Sequence, residues 1–374
     1  MKRFPFRAAI LLIATVLIAT VPGRSAHAQG GSAPASLPAA TRPAEDVASE
    51  VETCMSCHQD DTLTKTFPSG ETLPLFVKPE AFGASVHAKK AGCVGCHEGY
   101  GEIPHPERNF PDKTALVTAF RDSCKTCHVD TYSRAMDGVH ATLLAQGNTS
   151  APTCLDCHGS HDIEKPGHPR ARVAAMCASC HGDVSEVYEK SAHGRALAEG
   201  NEDVPVCTDC HRAHDIQDPR SGRWRLGTPE TCGSCHTDAK RMDKYGLSTN
   251  VLKSYLDDFH GVSARLYRGS KVEPRAIMAV CSDCHGVHDV ERLRGTGAAT
   301  PAALKSRLAA NCRKCHPGAT DSFPDAWLSH YEPSPKRAPL VWGIGLFYKV
   351  FIPFIIGGLI LQILLHLYRV VVNR

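Results

Sequence analysis

Hydrophobic positions along the 374 residues gather in two runs, one near each end, with only short and interrupted patterns between them. The first run, Ala8 to Val21, follows Lys2, Arg3 and Arg7 and precedes Ala26-His27-Ala28, so residues 1–28 predict a secretory signal peptide. The second extends from Leu340 to Leu367 with Lys349 inside it. Its part from Val350 to Leu367 gives eighteen residues broken only by Gln362 and His366, enough to span a hydrocarbon core as one transmembrane helix. Between the runs, Leu63–Phe67 and Glu71–Val77 partly alternate around Pro68-Ser69-Gly70, which predicts a β-hairpin. The segments Asp130–Gly147 and Asp183–Gly200 align without gaps. Each is polar at its start, has an Asp as N-cap and ends at Gly, so each predicts a helix carrying a single imidazole, His140 or His193. Residues 29–48, rich in Ala, Pro, Ser and Gly, read as a flexible linker.

Cysteine spacing sets the chemistry of the region 49–335. Cys281-Ser282-Asp283-Cys284-His285 is one of nine CxxCH pentapeptides. The others pair Cys54 with Cys57, Cys93 with Cys96, Cys124 with Cys127, Cys154 with Cys157, Cys177 with Cys180, Cys207 with Cys210, Cys232 with Cys235 and Cys312 with Cys315. All eighteen cysteines are used, and no thiol remains for a disulfide. A lone CxxC serves as well for a disulfide, a zinc half-site or a redox dithiol. Here each second Cys is followed by a His, at His58, His97, His128, His158, His181, His211, His236, His285 and His316. Neither a zinc half-site nor a disulfide scaffold requires that residue. CxxCH is the signature of covalent c-type haem attachment, in which the thiols add across the vinyl groups and the adjacent His meets the iron. Nine covalent haems c are expected.

That cofactor load changes the picture of the core. Roughly thirty residues serve each haem, too few for a separate polypeptide core. The expected fold is therefore mainly α-helical and irregular, with short helices around a haem-filled core, one small hairpin and a C-terminal transmembrane helix. Ligation and folding are coupled in such units. The formal charge of +3 includes four basic residues of the signal, without which 38 Lys and Arg face 39 Asp and Glu. Haem propionates add further negative charge, which excludes the basic face that nucleic acid requires.

Histidines outside the motifs supply the second axial ligands. The phrases Cys157-His158-Gly159-Ser160-His161-Asp162-Ile163 and Cys210-His211-Arg212-Ala213-His214-Asp215-Ile216 close two successive diheme units, and Cys284-His285-Gly286-Val287-His288-Asp289 closes a third. His140, His193 and His260 lie between the two motifs of their units, and His87 and His105 fill the same roles in a degenerate unit at the front. The ninth motif stands alone before Trp327-Leu328-Ser329-His330. Nine motifs thus face nine candidate distal ligands, His87, His105, His140, His161, His193, His214, His260, His288 and His330; His168 and His366 fall outside the scheme. A His three residues beyond a motif His cannot readily reach the far face of its own haem and should ligate a neighbour. Bis-His iron has no vacant position, which suits electron transfer rather than catalysis. No Met recurs in register, and no Lys replaces a motif His.

Gly357, Gly358, Gln362 and His366 within the apolar run read either as features of an ordinary anchor, spanning residues 336–374, or as a face that docks a membrane subunit. The repeated CxxCH units with interleaved His resemble the class III-like, doubled-CxxCH multihaem c-type cytochromes of anaerobically respiring bacteria. The hairpin before His87, the Ile103-Pro104-His105-Pro106 phrase and the closing anchor are similar to members encoded beside membrane cytochrome b partners. The resemblance implies bis-His ligation and an inner-membrane protein with its haems in the periplasm. It implies a relay of electrons from a quinol-oxidising membrane partner, such as a cytochrome b, to a periplasmic acceptor in anaerobic respiration. Two other readings stand beside it: a reductase of nitrite, hydroxylamine or a sulfur oxyanion with one open haem, and a structural conduit within a larger complex.

Overall fold

The computed structural model describes residues 42–268, 278–292, 300–326, 330, 333–336 and 338–373. The expected signal peptide, most of the expected linker and the Trp327-Leu328-Ser329 phrase lie outside these residues. Among the described residues there are seventeen α-helices, most of them short and the last a long C-terminal one, and one two-stranded sheet. The architecture is the mainly helical and irregular one expected from the sequence.

The first helix, α1 (Ala44–His58), starts inside the stretch expected as linker and ends on the first motif. Glu45 and Asp46 in its first turn complement the helix dipole, and Val47 is buried at 1% exposure. The hairpin follows, with strands β1 (Thr64–Thr66) and β2 (Thr72–Pro74) antiparallel in the register Thr64↔Pro74, Lys65↔Leu73, Thr66↔Thr72. Gly70 takes φ +86° in the turn, and Gly70 N donates to Phe67 O at 2.9 Å. The segment that follows β2 is tied to α1 through Val77 N, which donates to His58 O at 2.7 Å.

The repeated segment expected as one helix is two. Val129–Met136 and Val139–Ala145 are separated at Gly138, and Gly182–Glu189 and Ala192–Ala198 at Ser191. His128 and His181, rather than Asp130 and Asp183, occupy the N-cap positions of the first helices. Gly138 and Ser191 are extended, with ψ 160° and 171°, and Ser191 Oγ accepts from Gly194 N at 3.1 Å to start the next helix. The break puts His140 and His193 in the first turn of a new helix. It also frees a backbone donor for a contact between units. Val86 N donates to Ile163 O at 2.9 Å, Val139 N to Ile216 O at 2.8 Å and Ala192 N to Val290 O at 2.6 Å. Each central His segment is thereby pinned to the closing phrase of the following unit.

Protein core is sparse, as the residue count per haem requires. Among the described residues the one cluster of buried hydrophobic side chains is Leu226, Tyr255, Ala264, Met278 and Val280, flanked by Leu252 and Leu256. Met242 and Met278 are buried. The C-terminal helix, Pro339–Val372, has 34 residues, no acidic residue in its first turn and an 18-residue stretch of mean hydropathy 2.3. At 1.5 Å per residue it is about 51 Å long, against about 30 Å of hydrocarbon. Its first three turns, carrying Trp342, Tyr348 and Lys349, can therefore lie in the interface. Among the described residues it is the one helix long and apolar enough to cross a membrane.

Candidate metal centres

Two local structures present the motifs. Motifs with odd ordinal numbers tend to end a helix or a short helical segment: α1 closes on His58, Gly222–His236 closes on His236, and Pro301–Arg313 carries Cys312 in its last turn. Three of the even ones form five-residue helices of their own, Cys154–His158, Cys207–His211 and Cys281–His285. In these the third motif residue caps its own helix: Asp156 accepts from Thr153 N at 2.6 Å, Asp209 from Val206 N at 2.6 Å and Asp283 from Val280 N at 2.7 Å. Arg170 and Arg225 then hold Asp209 and Asp283 from a preceding helix and donate to the carbonyls of Val204 and Met278. The acidic residue between the cysteines is a cap.

Every motif His faces one imidazole from elsewhere in the chain. The ring centres of His58 and His105 are 6.2 Å apart, those of His97 and His161 5.9 Å, and those of His128 and His87 5.9 Å. His158 faces His214 at 6.0 Å, His181 faces His140 at 6.3 Å, and His211 faces His288 at 5.9 Å. His236 faces His193 at 6.4 Å, His285 faces His330 at 6.0 Å, and His316 faces His260 at 6.4 Å. With a metal–imidazole bond of about 2.1 Å and a ring centre about 1.1 Å behind the nitrogen, trans imidazoles on one metal stand about 6.4 Å apart. The observed gaps fit an iron plane between each pair. His168 stands apart from the pairs, 80% exposed and 3.9 Å from Glu202, and His366 lies on the apolar helix.

The pairing follows a rule that spans units. The central His of each unit meets the first motif of the next: His87 meets motif three, His140 motif five, His193 motif seven and His260 motif nine. The closing His runs the other way, so His161 meets motif two, His214 motif four and His288 motif six. His105 and His330 complete the ends on motifs one and eight. None of the three closing His pairs with the motif His three residues before it.

Orientation comes from the other ring nitrogen. His58 Nδ1 lies 2.9 Å from Leu75 O and His105 Nδ1 2.8 Å from Glu102 O, so both donate to carbonyls and leave Nε2 free as a ligand. His330 Nδ1 is 3.1 Å from Ser254 Oγ. Sequence reasoning missed these partners; it predicted the hairpin but not that the Leu75 carbonyl fixes a motif imidazole. A backbone acceptor leaves no side-chain signature. Burial, reinforced by facing imidazoles, lowers His97 and His193 to about 4, so both are neutral at pH 7, the form that coordinates metal.

The thiols order the sites. Cys54 lies against Cys93, Cys124 against Cys154, Cys177 against Cys207 and Cys232 against Cys281, joining first cysteines within each unit. Between units Cys96 neighbours Cys127, Cys157 neighbours Cys180, Cys210 neighbours Cys232 and Cys235, and Cys284 neighbours Cys312 and Cys315. The nine motifs therefore neighbour one another in chain order. Glu50, Cys54 and Cys93 bring three potential ligand atoms within 4.8 Å. Glu50 Oε1 already accepts from Cys93 N at 2.7 Å and Val94 N at 2.8 Å, so it braces the second motif's backbone.

Residues 147–237 match the family model described as cytochrome c3. The chain is 24% identical over 197 residues to the multiheme cytochrome MtrA of Shewanella baltica, covering 50% of this chain and 53% of that protein. It is 24% identical over 141 residues to the cytochrome c-type protein NrfB of Haemophilus influenzae, covering 34% of this chain and 51% of that one. The chain thus spans about half the length of both relatives. No solved structure matches.

Proposed function

We propose that this chain, which is a multihaem c-type cytochrome with covalently bound haem and a role in electron transfer, carries nine haems as a membrane-anchored relay. Each CxxCH holds one haem by two thioethers, and each motif His shares its iron with the imidazole facing it. The haems supply one-electron ferric/ferrous chemistry. The residues supply a fixed low-spin ligand set, which reorganises little on reduction, and an ordered row of attachment sites. The observation that carries the reading is the ring-to-ring spacing of 5.9–6.4 Å at all nine motif His, which leaves none of them single. That argues for a relay over a reductase with an open haem.

In this reading the helix Pro339–Val372 anchors the protein in the bacterial inner membrane with the haem domain in the periplasm. Electrons enter from a quinol-oxidising membrane subunit, such as a cytochrome b, at the ninth motif, which is nearest the anchor in sequence. They leave toward a periplasmic acceptor of anaerobic respiration at the first. Low-temperature EPR on the oxidised, haem-quantified protein tests the core of this. Nine haems, all low-spin, are expected; a stoichiometric high-spin ferric signal would overturn the relay and point to a substrate-binding haem.

A further inference from the structure

The four units differ at one position that touches a ligand. Two residues before His87, His140, His193 and His260 stand Ser85, Gly138, Ser191 and Asp258. Three are uncharged, and the fourth is a carboxylate. The backbone contacts differ too: Ser85 Oγ accepts from His87 N at 3.3 Å and Ser191 Oγ from Gly194 N at 3.1 Å, whereas Asp258 Oδ1 accepts from the adjacent Phe259 N at 2.7 Å. An uncharged residue stands at this place in the other three units, so the charge is particular to position 258.

Its second oxygen reaches a ligand. Asp258 Oδ2 lies 3.5 Å from His260 Nδ1, on a side chain 29% exposed, so water screens the charge only in part. Its field extends to the adjacent site. Burial lowers the His330 imidazole and Asp258 opposes that shift; burial raises the Cys284 thiol and Asp258 adds to the rise. Asp258 therefore sits at the junction of the eighth and ninth motifs. The neighbouring Asp257 is turned to Lys253, 3.3 Å away.

We propose that Asp258 is the potential-setting residue of the ninth site, holding a carboxylate against the outer nitrogen of His260 so that the imidazole donates more strongly and the oxidised state is favoured. This rests on the bis-His reading above. It makes the membrane end of the row the low-potential end, so electrons received there run downhill toward the first motif.

The test is Asp258→Ser in the full-length holoprotein, the residue that the chain itself uses at 85 and 191. Asp258→Asn is a second variant that keeps the shape. Redox titration is followed by the EPR of the ferric haems. Imidazole planes at the ninth site cross at 58°, as they do at the third (56°) and seventh (46°), whereas the other six pairs lie within 28° of parallel. Crossed planes give the more anisotropic low-spin signals, which makes the ninth haem one of three. The expected result is that one of these three becomes easier to reduce by about tenfold in its ferrous/ferric ratio, ~59 mV for one electron, and that the other two are unmoved. The converse variant, Ser191→Asp, should make the seventh site harder to reduce. Titration curves identical to the parent, or an equal displacement of all nine haems, in a variant that retains nine low-spin haems would overturn the proposal. A high-spin haem in the parent protein would instead overturn the ligation on which it rests.

Discussion

His214→Ala is expected to open one iron, and the geometry specifies which. His214 follows the sixth motif by three residues, yet its ring faces His158 of the fourth at 6.0 Å, while His211 faces His288. Removing it should leave the fourth haem five-coordinate and the sixth untouched, so one ninth of the iron becomes high-spin. The ligand bond also closes a chain loop from residue 158 to residue 214, about 57 residues, whose closure restricts the unfolded chain by ~4 kcal/mol on the cross-link estimate. That figure is an upper bound, since a coordination bond, unlike a covalent cross-link, can open in the unfolded chain. EPR integration of the purified variant reads the spin state, and added imidazole should restore the low-spin signal. The planes of His158 and His214 meet at 17°, so the signal lost should belong to the near-parallel class. Combining His214→Ala with Cys154→Ala and Cys157→Ala decides between local and cross-unit ligation. Removal of the fourth haem should abolish the high-spin signal and leave eight low-spin haems. A high-spin signal that persists in the combined variant would place His214 on the sixth haem and refute the cross-ligation rule.

EPR of the parent protein should resolve two low-spin populations in the ratio of six near-parallel to three crossed pairs; a single population would contradict the ring geometry. Arg212 occupies the place of Gly159 and Gly286 with φ +64° and ψ 179°, a region costing a non-glycine residue about 1–3 kcal/mol. Arg212→Gly should therefore raise stability by about 1 kcal/mol after the extra chain entropy of Gly, read as a higher denaturant midpoint with unchanged haem content; a fall in the midpoint would mean that the exposed Arg212–Asp215 pair outweighs the strain. Ending the chain before Pro339 should release a soluble, fully haem-loaded protein on cell lysis, and sedimentation of that product with membranes would show that the haem domain itself binds them.

The nine CxxCH pentapeptides and the chemistry they propose were legible in the chain because that pattern is local. Two thiols and a His at fixed spacing must match one porphyrin edge, and five residues carry that constraint wherever they stand. The apolar run ending near Leu367 and the turn at Pro68-Ser69-Gly70 were legible for the same reason: hydrophobic length and turn chemistry are properties of short stretches. Even the set of facing imidazoles, His87 to His330, could be drawn up from internal repetition. The division of the repeated helix at Gly138 and Ser191 could not, because it answers to carbonyls of Ile216 and Val290 in the following unit. Nor could the role of the Leu75 carbonyl, which any residue at that position would supply. Above all, only the tertiary structure decided which imidazole meets which motif. A sequence records that His214 stands three residues from His211, but a ligand must approach from the opposite side of a haem plane, and the short peptide between them does not reach there. Packing of successive units brings His158 to His214 and His211 to His288, so proximity along the chain and proximity across an iron are different quantities.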